Sequence, residues 1–436
     1  MDKVNKLSLS IKKLDAEIKT CSKCGICQSV CPLYCETRFE PDSARGKLSI
    51  LDGIIDNILE NPQNILDRLN RCLLCGSCEN ICPRGVNTIE IFFKARALIH
   101  DYIGLSAIEK IIFKKIIGKP TFFNSLINTG SKIQKFLLFK KNNYYGTCGN
   151  RFIPNVLSDR SILPISSQSV QDSISSKGYN FKTDAKVAFF IGCLIDKIFP
   201  NIAHKTLDVL NHFGIDVYIP QAQGCCGIPA LSSGDIDTFK KLVLYNVELF
   251  EKVNFKYLIS SCSTCSFVIK KLWPKMFGSQ NMKLTNKIES ISKKVIDINQ
   301  FIVSNFSITE PDLKKLSNRP LITYHDPCHL RKSMGIYKEP RQLISASSKY
   351  LFKEMEESSR CCGLGGSFNL NHYEFSVNIG KKKIDNIIAS GCQTVATSCP
   401  ACMIQLFDIF SKTTENIAIK HTIEIYGESI NQGDNE

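Results

Sequence analysis

The stretch "CSKCGICQSVCP" (residues 21–32) places four cysteines at the spacing C-x2-C-x2-C-x3-C and ends in proline. The same pattern returns in "CLLCGSCENICP" (residues 72–83). Each cysteine of the second run follows its counterpart by 51 residues (72 − 21 = 51), which indicates a duplication. The eight positions are Cys21, Cys24, Cys27, Cys31, Cys72, Cys75, Cys78 and Cys82.

Length and composition describe an ordinary globular chain. Its 436 residues, 43% hydrophobic and 22% charged, suffice for about three domains. The N-terminal stretch "MDKVNKLSLSIKKLDAEIKT" has neither an apolar core nor a small-residue cleavage site, so we expect a cytoplasmic protein. No stretch of about 18 predominantly apolar residues lacks a charged residue, so we expect any membrane association to be peripheral, at the inner face of the membrane. In a reducing cytosol, 21 cysteines indicate metal coordination rather than disulfides.

The first pair of cysteine runs has the spacing of bacterial ferredoxins. In that pattern three thiolates converge on one cluster and the fourth points to the other. It therefore predicts two 4Fe-4S clusters with crossed ligands: Cys21, Cys24 and Cys27 with Cys82, and Cys72, Cys75 and Cys78 with Cys31. Zinc is the structural alternative, but it does not explain four cysteines twice or the trailing prolines. Lys23, Arg71 and Arg84 are placed to offset the cluster charge, or are simply solvated.

A second, longer repeat follows, with five cysteines in each copy. The displacement between copies is 135 to 137 residues (328 − 193, 361 − 225, 399 − 262). Five thiols predict either a non-cubane cluster or a cubane with one reactive or spare thiol, and zinc in one copy is the main alternative. Gly227 and Gly363 permit the sharp turn after each adjacent pair. The ten cofactor-binding candidates are Cys193, Cys225, Cys226, Cys262, Cys265, Cys328, Cys361, Cys362, Cys399 and Cys402.

The coarse pattern predicts a helical front and an α/β back. "NTIEIFFKARALIHDY" has helical apolar spacing, whereas "KVAFFIG" and "PLITYHD" look like buried strands. "RFIPNVLSDRSILPISSQSVQDSISSKGYN" is rich in Ser, Pro and Asn, as in linkers. We expect a helical ferredoxin domain over residues 1–100, a helical connector and linker over 101–185, and two α/β domains over 186–310 and 311–436.

These motifs carry a family resemblance. The spacings C-x31-CCG-x34-CxxC and C-x32-CCG-x35-CxxC resemble the cysteine-rich CCG domains of heterodisulfide reductase subunits and of glycolate, lactate and anaerobic glycerol-3-phosphate dehydrogenase iron-sulfur subunits. The order of ferredoxin domain, linker and two CCG domains, with "DSARGKLSILDG" and "RCLLCGSCENICPRGV", resembles the glycolate oxidase iron-sulfur subunit family. The heterodisulfide reductase resemblance implies one or two further, non-cubane 4Fe-4S clusters bound by the CCG cysteines.

The family resemblance also implies a function. It suggests a non-flavin subunit of a glycolate or related 2-hydroxy acid oxidase complex, which accepts electrons from a separate FAD subunit and passes them toward quinone or another carrier. The sequence shows no flavin signature and no hydroxy-acid pocket, so its catalytic residues are unassigned. A heterodisulfide-reductase-like catalytic subunit, or the iron-sulfur subunit of a glycerol-3-phosphate or lactate dehydrogenase, is the alternative. The net charge of +14 comes from dispersed lysines without an aromatic platform, so nucleic acid is not an expected partner.

Other features remain open between a functional and a structural role. His325 and His329 bracket Cys328 and are either donors to a sulfur, proton sources or buried structural histidines. Cys35, Cys148 and Cys392 lie outside both patterns and are taken as ordinary thiols. "IEKIIFKKIIGKPTFFNSLINTGSKIQKFLLFKK" combines Ile and Phe with lysines and fits either an anionic membrane surface or a packed helical pair.

Overall fold

The computed structural model describes residues 3–59, 61–142, 147–150, 160–170, 173–174, 186–278, 281–311 and 318–433. It divides into two compact units. The first comprises Met1–Gly118, Gly227–Lys241 and Gly363–Gly380, and the second comprises Lys119–Cys226, Leu242–Cys362 and Lys381–Glu436. Most of the predicted linker and the boundary expected near residue 185 lie outside the described residues.

The first unit is helical. Asn61 and Ser43 cap helices with their side chains, and Ser43 accepts a hydrogen bond from the Gly46 amide at 3.0 Å. Apolar residues at helical spacing, such as Leu48 and Leu51, face the core. The α-helices are Lys3–Ile11, Asp15–Lys19, Cys27–Val30, Pro32–Thr37, Ala44–Ile55, Pro62–Asn70, Ser77–Ile81, Thr88–Ile103, Ala107–Glu109, Ile228–Ser232 and Ser367–Asn371. Short 3-10 turns cover Lys12–Leu14 and Glu40–Asp42, and a π-helix covers Lys110–Ile117.

Two later segments of the chain belong to this first unit, and each directly follows an adjacent cysteine pair. The Arg96 guanidinium donates to the Ser232 carbonyl at 2.7 Å, and the Ser367 hydroxyl donates to the same carbonyl at 3.4 Å. The Arg71 guanidinium lies 4.9 Å from the centre of the Phe375 ring. The helical unit is therefore completed by chain that lies more than 100 residues further along.

The second unit contains two four-stranded parallel sheets and one hairpin. The hairpin pairs β1 (Leu138–Asn142) with β2 (Thr147–Asn150) in antiparallel fashion. One sheet has the order β4-β3-β5-β6, with β3 (Val187–Phe189), β4 (Val217–Tyr218), β5 (Tyr257–Ser260) and β6 (Val295–Asp297). The other has the order β10-β9-β7-β8, with β7 (Leu321–His325), β8 (Leu351–Phe352), β9 (Thr394–Thr397) and β10 (Ala418–His421). Reading the second order backwards reproduces the first, so the duplication extends to the topology.

Helices connect these parallel strands, because parallel neighbours need crossover connections. α-Helices of this part of the chain are Pro120–Leu137, Cys193–Lys197, Pro200–His212, Ile236–Phe250, Ser263–Phe267, Trp273–Phe277, Met282–Lys293, Ile298–Asn305, Lys338–Ser345, Tyr373–Ala389, Pro400–Phe410 and Thr422–Gly433. Val268–Leu272 and His329–Ser333 are π-helical. Ile236–Phe250 and Tyr373–Ala389 each begin in the first unit and end in the second.

The predicted fold class is confirmed: a helical ferredoxin domain precedes two repeated α/β cysteine-rich domains. The strands expected from "KVAFFIG" and "PLITYHD" are β3 and β7, and the helix expected from "NTIEIFFKARALIHDY" is Thr88–Ile103. Among the described residues, no helix combines the length and apolar character needed to cross a membrane.

Candidate metal centres

The two ferredoxin-type loops have the same local conformation. Lys23 and Leu74, two residues after the first cysteine of each run, adopt positive φ angles of 56° and 53°. Their amides donate to the sulfurs of Cys21 and Cys72, both at 3.4 Å. Backbone N–H groups aimed at a cysteine sulfur stabilise its thiolate form, which is the form that binds metal.

Each loop continues into a short helix that ends at its fourth cysteine. Cys31 caps the C-terminus of Cys27–Val30, and Cys82 caps that of Ser77–Ile81. Both capping residues leave the helical region, with ψ angles of 114° and 117°. The two helices pack against each other. The fourth cysteine of each loop therefore has a backbone direction different from that of the preceding three.

One crossed cysteine set lines a single cavity. Cys31, Cys72, Cys75 and Cys78 surround a space of about 30 Å³ together with apolar side chains such as Phe92. Burial raises the pKa of the Cys31 thiol to about 12, and the neighbouring Cys75 and Cys72 act in the same direction. Four sulfurs that line one cavity fit the ligand requirement of one cubane cluster.

The other crossed set is partly brought together. Burial raises the pKa of the Cys27 thiol, and the nearby sulfurs of Cys21 and Cys24 contribute to that increase. Cys24 is exposed, whereas Cys21, Cys27 and Cys82 are half-buried. The assignment of Cys82 as the fourth ligand of this set remains a prediction from the spacing.

Two buried cations lie beside the cavity with four sulfurs. Lys47, 1% exposed, donates from Nζ to the Asp42 and Pro41 carbonyls at 2.6 and 3.2 Å. Arg96, fully buried, donates to the Leu69 and Cys72 carbonyls at 2.6 and 3.0 Å. Lys47 interacts electrostatically with Cys72 and Cys31, and Arg96 with Cys72. Positive charge inside the fold offsets the negative charge that four thiolates bring.

The cations expected from the sequence are placed differently. Lys23 pairs with Asp52 at 2.8 Å and remains 53% exposed, and Arg84 is exposed. Arg71 lines the cavity and pairs with buried Asp42 at 3.0 Å. Sequence reasoning missed Lys47 and Arg96, although each is a charge on the apolar face of its helix, which was the available signal.

The five cysteines of the first cysteine-rich repeat gather where its strands end. Cys193 begins a helix three residues after Phe190, and its sulfur lies 3.7 Å from that of Cys225. The hydrogen bond with Cys225 and burial together raise the pKa of Cys193 well above its usual range. Cys265 interacts with Cys226 and Cys262. Gly192, with a φ of +79°, approaches this sulfur group so closely that a Cβ would lie 3.1 Å from the Cys265 sulfur.

The loop around the adjacent cysteine pair of this repeat is held by side chains of the same unit. Asn246 accepts from the Gly224 amide at 3.0 Å and donates to the Cys225 carbonyl at 3.0 Å. The Trp273 indole donates to the Cys226 carbonyl at 3.0 Å. Gly227, with a φ of +97°, makes the sharp turn that the sequence predicted.

The second cysteine-rich repeat repeats this arrangement with different neighbours. Cys362 and Cys402 have their sulfurs 3.5 Å apart, and Gly363 turns the chain with a φ of +93°. Cys328 precedes the π-helix His329–Ser333, and Cys361 is buried. The hydrogen bond with Cys362, the one with Cys399 and burial raise the pKa of Cys402 well above its usual range.

Two cysteine-rich loops, one from each repeat, meet at their CxxC motifs. Cys262 and Cys399 share a hydrogen bond, and the Thr264 hydroxyl lies 3.5 Å from the Cys399 sulfur. Ser263 donates from its hydroxyl to the Ser398 carbonyl at 2.6 Å. Hydrogen bonds from Cys262 and Cys402 hold the pKa of Cys399 well below its usual range. These contacts link Cys226, Cys262 and Cys265 of the first repeat to Cys362, Cys399 and Cys402 of the second.

The two histidines beside Cys328 have different surroundings. His329 places Nδ1 3.3 Å from the Thr264 hydroxyl and stacks on the Phe267 ring at 4.6 Å. His325 is fully buried at the end of β7, with one of its ring nitrogens near the sulfurs of Cys362 and Cys402. Burial, followed by the nearby Lys383, lowers the pKa of His325 to about 3.

Lys383 is a further buried cation that sequence reasoning missed. Its Nζ donates to the Glu357 and Ser358 carbonyls at 2.6 and 3.1 Å, just before the adjacent cysteine pair. Burial lowers the pKa of Lys383 to about 8, opposed by Asp326, Cys362 and Cys361. No pattern in the sequence distinguishes Lys383 as buried. It is one of three consecutive lysines, "KKK" at residues 381–383, and lysines are usually exposed.

The remaining cysteines lie apart from these groups. The Cys35 sulfur is 3.9 Å from the Ser29 carbonyl, and Cys392 is buried 3.9 Å from the Ser390 carbonyl. Cys148 lies in β2. None of the 21 cysteines forms a disulfide.

Comparison with known protein families defines the class of the chain. Residues 17–86 match a 4Fe-4S dicluster domain, and residues 187–270 and 322–407 each match a cysteine-rich domain. The chain is an iron-sulfur protein that joins a dicluster ferredoxin domain to two cysteine-rich domains. The family resemblance inferred from the sequence is confirmed.

Particular relatives extend over most of the chain. The probable glycolate oxidase iron-sulfur subunit of Bacillus subtilis is 28% identical over 90% of this chain and 89% of that protein. A subunit of the dihydromethanophenazine:CoB–CoM heterodisulfide reductase of Methanosarcina barkeri is 25% identical over 99% of this chain and 97% of that protein. Lactate utilization protein A of an Exiguobacterium strain is 28% identical over 56% of this chain and 98% of that protein. These relatives support a redox role as a subunit of an oxidoreductase complex.

Proposed function

We propose that this chain is the electron-transfer subunit of a complex that oxidises a 2-hydroxy acid, with glycolate as the first candidate. In this proposal a separate FAD subunit removes two electrons and two protons from the substrate, one proton from the hydroxyl-bearing carbon and one from its hydroxyl oxygen, and the C–OH group becomes a carbonyl. The present chain takes the electrons singly and delivers them toward quinone or another carrier. The observation that carries the proposal is the set of four sulfurs that line one cavity, joined with similarity to a glycolate oxidase iron-sulfur subunit across 90% of the chain.

The proposed ligands follow the crossed pattern and the five-cysteine groups. The dicluster domain would hold one cluster with Cys31, Cys72, Cys75 and Cys78, and the other with Cys21, Cys24, Cys27 and Cys82. Each cysteine-rich repeat would hold a further, non-cubane cluster with its own five thiols. When bound, the clusters supply reversible one-electron transfer. The chain holds them, excludes water and sets their potentials through buried charge.

The test is reduction of the clusters by substrate. The chain is purified anaerobically with a co-expressed FAD subunit, mixed with glycolate, lactate or glycerol-3-phosphate, and followed by bleaching of the cluster absorbance. Reduction by one hydroxy acid supports the proposal and names the substrate. If flavin is reduced but cluster absorbance never changes, the proposal fails.

A pair of variants locates the electron path. We expect Cys75→Ser to leave substrate-dependent flavin reduction intact and to stop onward transfer to an artificial quinone. Cys35→Ser is the matched control, because it removes a half-buried thiol of the same domain outside the motifs. Loss of flavin reduction in Cys75→Ser would contradict the division of labour between the subunits.

A disulfide reductase of the heterodisulfide type is the second candidate. It is favoured by the completeness of both five-cysteine groups and by their meeting at Cys262 and Cys399. Such an enzyme should consume a disulfide with reduced methyl viologen as donor and without a flavin subunit. An electron-transfer subunit should be inert under the same conditions.

We also propose that the chain associates peripherally with an anionic membrane. The helical turn and π-helix over residues 107–117 expose Ile108, Ile111 and Ile112 beside Lys110 and Lys114. Separately, Pro120–Leu137 exposes Phe122, Leu126, Ile133 and Phe136. Exposed large apolar side chains with interspersed lysines suit the headgroup region of such a membrane.

A further inference from the structure

His325 is a buried polar side chain that makes no hydrogen bond through its ring among the described residues. It ends β7, is 0% exposed, and neither Nδ1 nor Nε2 has a hydrogen-bond partner among the described residues. Leaving a buried polar group unsatisfied costs about 1–3 kcal/mol, so such groups call for an explanation. A bound group that forms a hydrogen bond or a coordination bond with a ring nitrogen would remove that cost.

The ring is also close to two of the proposed cysteine ligands. One nitrogen of His325 and the sulfurs of Cys362 and Cys402 all lie within 4.8 Å of one another, and the two sulfurs are 3.5 Å apart. Ligands at about 2.0–2.3 Å from one tetrahedral metal are separated by roughly 3.5–3.8 Å. The two sulfurs therefore have the spacing of neighbours on a single metal ion, and the ring nitrogen lies within 4.8 Å of both.

The first repeat has a different residue at the same place. Phe190 stands three residues before Cys193, as His325 stands three residues before Cys328. Phe190 is also fully buried, and its ring packs against Phe250 and Trp273 at centroid distances of 5.9 and 6.4 Å. A ring of similar shape is kept in both repeats, but only the second repeat has a nitrogen there.

We propose that His325 supplies an imidazole nitrogen to an iron of the metal group held by the second cysteine-rich repeat, whereas the first repeat binds its group through sulfur alone. This inference rests on the proposed function, in which both repeats hold iron-sulfur clusters. It makes the two groups chemically distinct in spite of the duplication. Compared with a thiolate at the same iron, a neutral nitrogen leaves the cluster less negative and its potential higher.

The test is pulsed EPR on the full chain, purified anaerobically and labelled with 15N-histidine. The signal of the second repeat is identified as the one that Cys362→Ser abolishes. In the wild type we expect that signal to show a nitrogen coupling of the size found for iron-bound imidazole. The coupling itself is read from the wild type, so it needs no histidine variant.

Variants then locate the coupling on one residue. His325→Phe, which copies the first repeat, should abolish the coupling in that signal. His212→Phe is the matched control, because His212 is exposed on a helix, and it should keep the coupling. His325→Cys offers a thiolate instead, so it should retain the iron and lower the midpoint potential of that signal alone.

The outcomes separate this inference from the proposed function. If iron beyond that of the dicluster domain is present but no histidine nitrogen couples to the second-repeat signal, the inference is overturned and the cluster assignment stands. If the repeats hold no iron, the inference and the cluster assignment of the proposed function are both overturned. A coupling that survives in His325→Phe assigns the nitrogen to another histidine and also overturns the inference.

Discussion

The thiol of Cys262 in the first cysteine-rich repeat shares a hydrogen bond with that of Cys399 in the second, although 137 residues separate them. The contact joins two sulfur groups that the sequence presents as independent copies. Ser263, which hydrogen-bonds to the Ser398 carbonyl, supports the same junction. A change at one repeat should therefore reach the other.

This junction predicts an unequal effect of cysteine substitutions. Cys399→Ser should reduce the iron and sulfide content of both repeats, because Cys399 belongs to one group and contacts the other. Cys328→Ser, which changes the cysteine that follows β7, should reduce that of the second repeat alone. Metal analysis and EPR of the anaerobically purified variants measure this difference. Equal losses in the two variants would argue against coupling through Cys262 and Cys399.

Lys47 is expected to set the potential of one ferredoxin cluster. It is buried and interacts electrostatically with Cys72 and Cys31. Removing a buried charge a few ångströms from a cluster changes its energy by on the order of 1–2 kcal/mol, or about 40–90 mV for one electron. Lys47→Met should lower the midpoint potential of that cluster by this amount in an EPR-monitored redox titration.

Lys23 provides the control for that titration. Its side chain is 53% exposed and pairs with Asp52, so solvent screens its charge. Lys23→Met should move the potential of either cluster much less than Lys47→Met moves its own. A larger shift in Lys23→Met would show that surface charge, and not the buried lysine, tunes these sites.

Gly227 should be the more costly of two glycines that share a left-handed conformation. A Cβ at Gly227 would lie 2.6 Å from Phe239 Cδ2, whereas nothing lies within 4 Å of a Cβ at Gly214. Gly214→Ala should therefore cost only the conformational strain, about 1 kcal/mol of unfolding free energy. Gly227→Ala adds overpacking and should cost roughly 3 kcal/mol, with a loss of iron because it follows Cys226. Urea unfolding under anaerobic conditions compares the two.

Asp297 should give the chain a pH-dependent stability. It is fully buried at the end of β6, and burial raises its pKa to about 7 against hydrogen bonds from the Asn299 amide and side chain. Because this pKa exceeds the unfolded value of about 3.9, the unfolding free energy is highest below pH 4 and falls by up to roughly 4 kcal/mol as the pH rises to 7. Above pH 7 the cost is constant.

The variant Asp297→Asn keeps an N-cap side chain and removes this titration. We expect it to be more stable than the wild type at pH 8 and to lose that part of the slope between pH 4 and 7. Asp237→Asn is the control, because the Asp237 side chain is 72% exposed, and it should leave the slope as it is. Parallel slopes in wild type and Asp297→Asn would show that Asp297 is ionised in the folded state throughout.

Peripheral membrane binding is expected to depend on the exposed isoleucines. The wild type should float with vesicles that contain phosphatidylserine at low salt, and not with phosphatidylcholine alone. Combined Ile108→Ser and Ile111→Ser should reduce flotation. Met282→Ser, which removes an apolar side chain that is 68% exposed elsewhere, should not. No flotation of the wild type on the anionic vesicles would refute the membrane proposal.

The spacing of residues along the chain was enough to predict the ligand motifs, the turns beside them and several helices and strands. The two four-cysteine runs, the five-cysteine repeats and the glycines after each adjacent pair were visible in the sequence, because ligand loops are made by residues close together in the chain. The matching φ angles of Lys23 and Leu74 express that local constraint. The helical front and the strands before Cys193 and Cys328 followed from apolar periodicity in the same way.

Only the tertiary structure decided which polar groups are buried against the sulfurs and which cysteines of different repeats meet. Lys47 and Arg96 stand on apolar helix faces, but the sequence does not show which sulfurs they approach, and Lys383 looks like a surface charge. The contact between Cys262 and Cys399 joins segments 137 residues apart. The placement of residues 227–241 and 363–380 with the helical unit was equally invisible. Burial and long-range contacts depend on how distant segments pack, and local periodicity carries no information about that packing.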